Sequence, residues 1–194
     1  TIVLFVISIL CCFLTGCSRN AEPLSRTGFY FDTVIQITIY DPSKEDALDG
    51  CFALAEKYEN MLSATKENSD IWRINHSAGA PVDVTADTAQ LLETALYYAE
   101  LTDGRIDPTI LPVASLWNFG SDKSPSIPDP SALKEALSHV DYHTVRMEEK
   151  GDSYLVTLDD PQAMIDLGFI AKGYIADRMK DYLLSLDISS ACIN

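Results

Sequence analysis

Met164-Ile165-Asp166-Leu167-Gly168-Phe169-Ile170-Ala171-Lys172-Gly173-Tyr174-Ile175-Ala176-Asp177-Arg178 joins a short apolar run to a helical pattern. The run ends in a carboxylate, a glycine follows, and Lys172 falls in the first turn of the expected helix, Ile170 to Leu186. Strand, glycine turn and helix N-terminus is a geometry in which free backbone N–H groups and the helix dipole receive a phosphate. Asp166 would add a polar anchor and Lys172 a cation. Any helix that restarts after a strand has this outline, so the pattern takes its meaning from the residues around it.

Upstream, Ile35, Ile37 and Ile39 alternate with Gln36 and Thr38, the signature of a half-buried strand over Val34–Tyr40. Ser43 with Asp46 reads as a capping box. From Ala47 to Leu62 the apolar residues recur at helical spacing, for about five turns at 3.6 residues per turn. Ser63 to Asn75 reads as a loop with one helical turn, in which Trp72 packs and Arg73 is solvated or caps. A short strand at Val82–Val84 precedes a helix capped by Thr85 and stopped at Gly104. Asp107-Pro108 has the form of an N-cap followed by N1, hence a helix start. Ser131 to Val140 reads as a helix, and the residues around Glu149-Lys150-Gly151-Asp152 as a hairpin. A strand ending at Asp166 and a last one at Ile188–Ile193 complete the order β-α-α-α-β-β-β-α-β. Without regular alternation, that order predicts an α+β fold, a mainly antiparallel sheet with packed helices.

The 194 residues carry 14 Lys+Arg against 29 Asp+Glu, a net charge of −15, and are 47% hydrophobic. A charge of that sign repels phosphate backbones and argues against a nucleic-acid partner. The glycine-rich dinucleotide fingerprint and the Walker A pattern are absent from the sequence. His76, His139 and His143 have no triad or zinc spacing, which favours surface or core roles. Cys51 and Cys192 lack metal-ligand spacing and read as buried free thiols, with a disulfide as the alternative.

Ile2 to Leu14 is a nearly unbroken apolar run, short for a membrane span and apt for a signal peptide. Leu14-Thr15-Gly16-Cys17 resembles the bacterial lipobox, which divides the chain into a signal peptide (1–16), a tether (17–27) and a domain (28–194). Cys17 would carry the lipid that anchors the protein to the membrane, facing the extracytoplasmic side, periplasm or cell exterior. The chain opens at Thr1 and stops after a strand-like segment, as expected of a fragment.

Three blocks in one order carry a resemblance. Gly104-Arg105-Ile106-Asp107-Pro108-Thr109 with Pro112 and Leu116-Trp117-Asn118-Phe119-Gly120 is similar to a D-x-T…P…W-x-F-G block. Ile165-Asp166-Leu167-Gly168-Phe169-Ile170-Ala171-Lys172-Gly173-Tyr174 with Asp177 is similar to D-L-G-x-I-A-K-G-Y-x-x-D. Ser69, Ile71, Arg73 and Asn75 resemble an S-x-I-x-x-x-N region. From Gly28 to Asn194 the chain resembles the FAD:protein FMN transferases, the ApbE-like lipoprotein family.

The resemblance implies Mg²⁺-dependent transfer of FMN from FAD to a Thr or Ser hydroxyl of a target flavoprotein, with release of AMP. It implies FAD contacts at Asp166 and Lys172, a flavin loop at Arg105, Ile106 and Asp107, and a backbone-carbonyl ligand to Mg²⁺ at Phe169. Phe31 stands where the family reads Met-Gly-Thr and this chain reads Phe31-Asp32-Thr33. Thr65 stands where relatives carry an aromatic residue, and the resemblance implies FAD contacts at both Phe31 and Thr65. No catalytic base is identified. The remaining Mg²⁺ ligands would lie beyond Asn194, so the fragment alone is expected to be inactive. A lipid-anchored flavin-binding protein and an FAD pyrophosphatase are the alternatives.

Overall fold

The computed structural model describes residues 22–119, 124–151 and 153–194. Two antiparallel three-stranded sheets flank the helices, and the strands run β1-β2-β6 in one and β3-β5-β4 in the other. In the first, β1 (Leu24–Tyr30) pairs with β2 (Thr33–Ile39), which pairs with β6 (Ala191–Ile193). In the second, β5 (Ser153–Leu158) lies between β3 (Val82–Val84) and β4 (Val145–Lys150). The helices are α1 (Asp46–Leu62), α2 (Asp70–Asn75), α3 (Ala86–Leu101), α4 (Leu111–Ala114), α5 (Pro130–Leu137) and α6 (Gly168–Ser185). The α+β expectation therefore holds, in two sheets rather than one.

Alternation in β2 works as the sequence indicates. Ile37 and Ile39 are fully buried, while Gln36 and Thr38 reach Ser25 of β1 on the other face. One hydrophobic core runs from these isoleucines through α1, α3 and α6 to Val156 and Leu158 of β5. Thr85 caps α3 as expected, and the helix stops where Asp103 and Gly104 turn left-handed, Gly104 at φ 70°. Burial pushes the Cys51 thiol up to about 11, so it is an inert core group. Cys192, expected to be buried, is exposed on β6, and both thiols are free.

Several local expectations are corrected. The tether was expected to reach residue 27, but β1 already begins at Leu24. Ser43 does not cap α1; its N–H and hydroxyl both donate to Asp41, which caps a 3₁₀ turn at Pro42–Lys44. Asp107-Pro108 opens no helix, since α4 starts at Leu111. The strand expected to end at Asp166 is one parallel bridge, Ile110 to Met164. Helix α6 starts at Gly168, two residues early, which places Lys172 in its second turn. Among the described residues no helix is long and apolar enough to cross a membrane. The lipobox and Cys17 lie outside the described residues.

Candidate functional site

A cleft of about 440 Å³ opens where four separate pieces of chain meet. They are the β1–β2 turn (Phe31, Asp32), the loop after α1 (Ser63, Ala64, Thr65), the segment from Leu111 to Phe119, and the entry to α6 (Asp166, Gly168, Ala171, Lys172). Phe31, Thr65, Asp166 and Lys172, which the sequence proposed as contacts, thus line one cavity. A second, mainly apolar hollow of about 230 Å³ adjoins it, sharing Phe31 and Lys172.

The Asp166 segment is irregular, yet tightly held. The side-chain amide of Asn75, at the end of α2, accepts from Ile165 N at 2.6 Å and donates to Ile165 O at 2.9 Å, acting as a one-residue strand partner. Asp166 N donates to Pro108 O at 2.8 Å. Asp166 Oδ1 then accepts from Gly168 N at 2.7 Å, and a Cβ at Gly168 would stand 3.0 Å from that oxygen. Ile170 N and Ala171 N both donate to Leu167 O. The helix N-terminus is therefore not the open phosphate cradle the local pattern implied, because three of its leading N–H groups (Gly168, Ile170, Ala171) already have partners. Lys172 is exposed and makes no ion pair among the described residues.

Arg105, Ile106, Asp107 and Phe169 do not line the cleft. Arg105 is exposed, and Ile106 N donates to Thr102 Oγ1. Asp107 Oδ1 takes the N–H and hydroxyl of Thr109 at 2.8 and 2.6 Å, while Oδ2 takes Tyr142 N at 3.0 Å. The fully buried Thr109 accepts in turn from Asp141 N. Asp107 thus fastens the loop whose Pro108 carbonyl holds Asp166. Phe169 is 47% exposed on the outer side of α6.

Two buried or half-buried polar residues have roles that no local sequence pattern indicates. Asn75 belongs to a block that carries the resemblance, which assigns it no such role. Asp70, 6% exposed, accepts from Thr85 N, Thr85 Oγ1 and Thr88 Oγ1 at 3.1, 3.1 and 2.7 Å. Arg73, expected to be solvated or to cap, pairs with Asp70 and donates to Asp83 O. This network ties α2 to β3 and α3, and α2 carries Asn75. The signal that could have found it is Ser69, a residue type favoured at an N-cap, whose hydroxyl accepts from Trp72 N at the start of α2. Trp72 stacks on His76.

None of the three histidines lines the cleft. Tyr174, two residues from Lys172, has its phenol pushed up to about 12, first by burial and then by Tyr58, so it stays protonated near neutrality. Against Lys172 the cleft sets two carboxylates, Asp32 and Asp166. Among the described residues no group of three or more His, Cys, Asp or Glu side chains can hold a metal ion. Mg²⁺ takes about six oxygen ligands in near-octahedral array, so the described side chains do not by themselves form such a site.

The model of the ApbE family matches residues 31–194. The FAD:protein FMN transferase of Treponema pallidum is 34% identical over 201 residues, covering 97% of this chain and 55% of its own length. That of Klebsiella pneumoniae is 35% identical over 144 residues, covering 74% of this chain and 45% of its own. The ApbE protein of Thermotoga maritima superposes with a TM-score of 0.78 at 29% identity, over 88% of this chain and 55% of that one. The flavin transferase ApbE of Vibrio cholerae gives 0.78 at 25% identity, over 90% and 57%. This chain spans about half the length of these relatives. With the family match running through every piece of chain that lines the cleft, the protein belongs to the ApbE family.

Proposed function

We propose that the protein acts in the Mg²⁺-dependent transfer of FMN from FAD to a Thr or Ser hydroxyl of a target flavoprotein. The hydroxyl oxygen attacks the FMN phosphorus, the pyrophosphate P–O bond breaks, AMP leaves with the bridging oxygen, and the hydroxyl proton passes to a base. The observation that carries this reading is the meeting of Phe31, Thr65, Asp166 and Lys172 in one cleft from distant parts of the sequence. Lys172 offers a cation to the diphosphate, and Asp166, held at backbone and side chain, offers a fixed acceptor. Phosphoryl transfer depends on positioning and on neutralising phosphate charge. One lysine against Asp32 and Asp166 leaves that neutralisation incomplete, which supports a need for a divalent cation. The carbonyl of Phe169 is proposed as one ligand, the others coming from the part of the family's length that this chain does not span. The lipobox supports a lipid anchor at Cys17 and an extracytoplasmic location.

The full-length protein is incubated with FAD, Mg²⁺ and a target flavoprotein domain, and covalent flavin is read by in-gel fluorescence beside AMP by chromatography. The expected outcome is labelled target with matching AMP. Lys172→Ala should lower transfer by about tenfold or more, one cation's share of transition-state stabilisation, with an unchanged melting temperature. AMP without labelled target would instead identify an FAD pyrophosphatase. FAD binding without AMP would identify a flavin-binding protein.

A further inference from the structure

The turn that presents Phe31 to the cleft is held in a costly conformation. Tyr30 pairs with Thr33, and the two residues between them, Phe31 and Asp32, sit at φ 52° and 54°. This is a type I′ hairpin turn, which favours glycine or asparagine at both places. An Asp tolerates the left-handed region; a bulky aromatic residue rarely does. Something outside the hairpin must hold it there.

Glu59, in the last turn of α1, is in place to do so. Its Oε1 accepts the Phe31 N–H at 2.8 Å, and its Oε2 lies 3.6 Å from Lys66 Nζ. Lys66 follows Thr65 directly, in the loop that forms the facing part of the cleft wall. One carboxylate therefore joins two separately encoded walls of the cavity. The placement works against its own helix, since a negative charge at a helix C-terminus opposes the macrodipole. The ion pair does not explain it either, because pairs this exposed contribute little. What remains is the bond to the strained turn.

We propose that Glu59 is a positioning residue for the cleft: through the Phe31 N–H it fixes the turn that sets the Phe31 ring and the Asp32 carboxylate against a bound flavin nucleotide. The inference rests on the FAD reading above. It requires reach and an acceptor oxygen, not charge. Glu59→Gln keeps the length and an acceptor while losing the charge; Glu59→Asp keeps the charge and loses one methylene of reach.

Two measurements are made on the whole protein: hydrogen exchange of the Phe31 amide without ligand, and FAD affinity by flavin fluorescence. Glu59→Asp should speed Phe31 exchange and weaken FAD binding by about tenfold or more each, the scale of one hydrogen bond to a charged group. Glu59→Gln should stay within about threefold of the natural protein in both, the scale of a neutral-for-charged acceptor exchange. The reverse ranking would show a charge role and overturn the proposal. So would unchanged Phe31 exchange in Glu59→Asp, or faster exchange with unaltered FAD affinity. If the natural protein binds no FAD, the functional reading fails, while the exchange data still decide whether Glu59 clamps the turn.

Discussion

Asn75 shows how much one side chain can decide. It satisfies both backbone groups of Ile165 across 90 positions of sequence, and Ile165, fully buried, precedes the cleft residue Asp166. Asn75→Ala leaves a part-buried N–H and C=O without partners, at a cost of about 1–3 kcal/mol per unsatisfied group. The expected result is a lower urea midpoint together with weaker FAD binding, because the Asp166 segment loses its register. Lost stability with unaltered FAD affinity would show that Pro108 alone holds Asp166. Asp107 teaches the same lesson in reverse. Its sequence setting matches a helix start, and a local rule accounts for one oxygen; the other goes to Tyr142 N, 35 residues away.

Elements differ in how openly the sequence announces them. Helices α1 and α3 and strand β2 bury one face each, so their periodicity is visible. Strand β1 reads Leu24-Ser25-Arg26-Thr27-Gly28-Phe29-Tyr30, and its inward positions include Arg26 and Gly28, which no apolar alternation reveals. Helix α5 has no fully buried residue, and a polar contact lies at its C-terminal end. His139 Nδ1, just past its end, meets Asp160 Oδ2 at 2.7 Å on the turn after β5, with Glu135 Oε1 3.7 Å from Nε2. The bond to Asp160 raises His139 above its ordinary 6.5, against the opposing effect of desolvation. The N–H of Gln162 foremost, and then His139, lower Asp160 below 3.8. The histidine contribution is complete below pH 6.5 and is lost as pH rises through its raised value in the folded protein. The aspartate contribution is present above 3.8 and is lost as pH falls through its lowered value. Thermal scans should therefore show the melting temperature declining above pH 6.5, with a flatter profile in His139→Gln. Identical profiles would mean the α5 contact does not report on global stability.

Across the whole molecule the excess of acid matters most. On the FAD reading, a formal charge of −15 opposes the approach of the anionic dinucleotide, with Lys172 as the local attraction in the cleft. Raising ionic strength from ~0.01 M to ~0.15 M shortens the Debye length from ~30 Å to ~8 Å. On the FAD reading, stopped-flow fluorescence should show faster association over that range. Slower association would mean that attraction local to the cleft outweighs the global field. The division between local and global also explains what could be read in advance. Periodicity, caps and motif order are properties of neighbouring residues, so the α+β class, most helices and the family lie open in the sequence. Hydrogen-bond choice between residues far apart in the chain is not local. Only the folded chain sets Asn75 on Ile165, Asp107 on Tyr142 and Glu59 on Phe31. It also fills the N–H groups at the start of α6 that the opening stretch, taken alone, offers to a phosphate, because buried backbone groups take the nearest partner that tertiary packing brings.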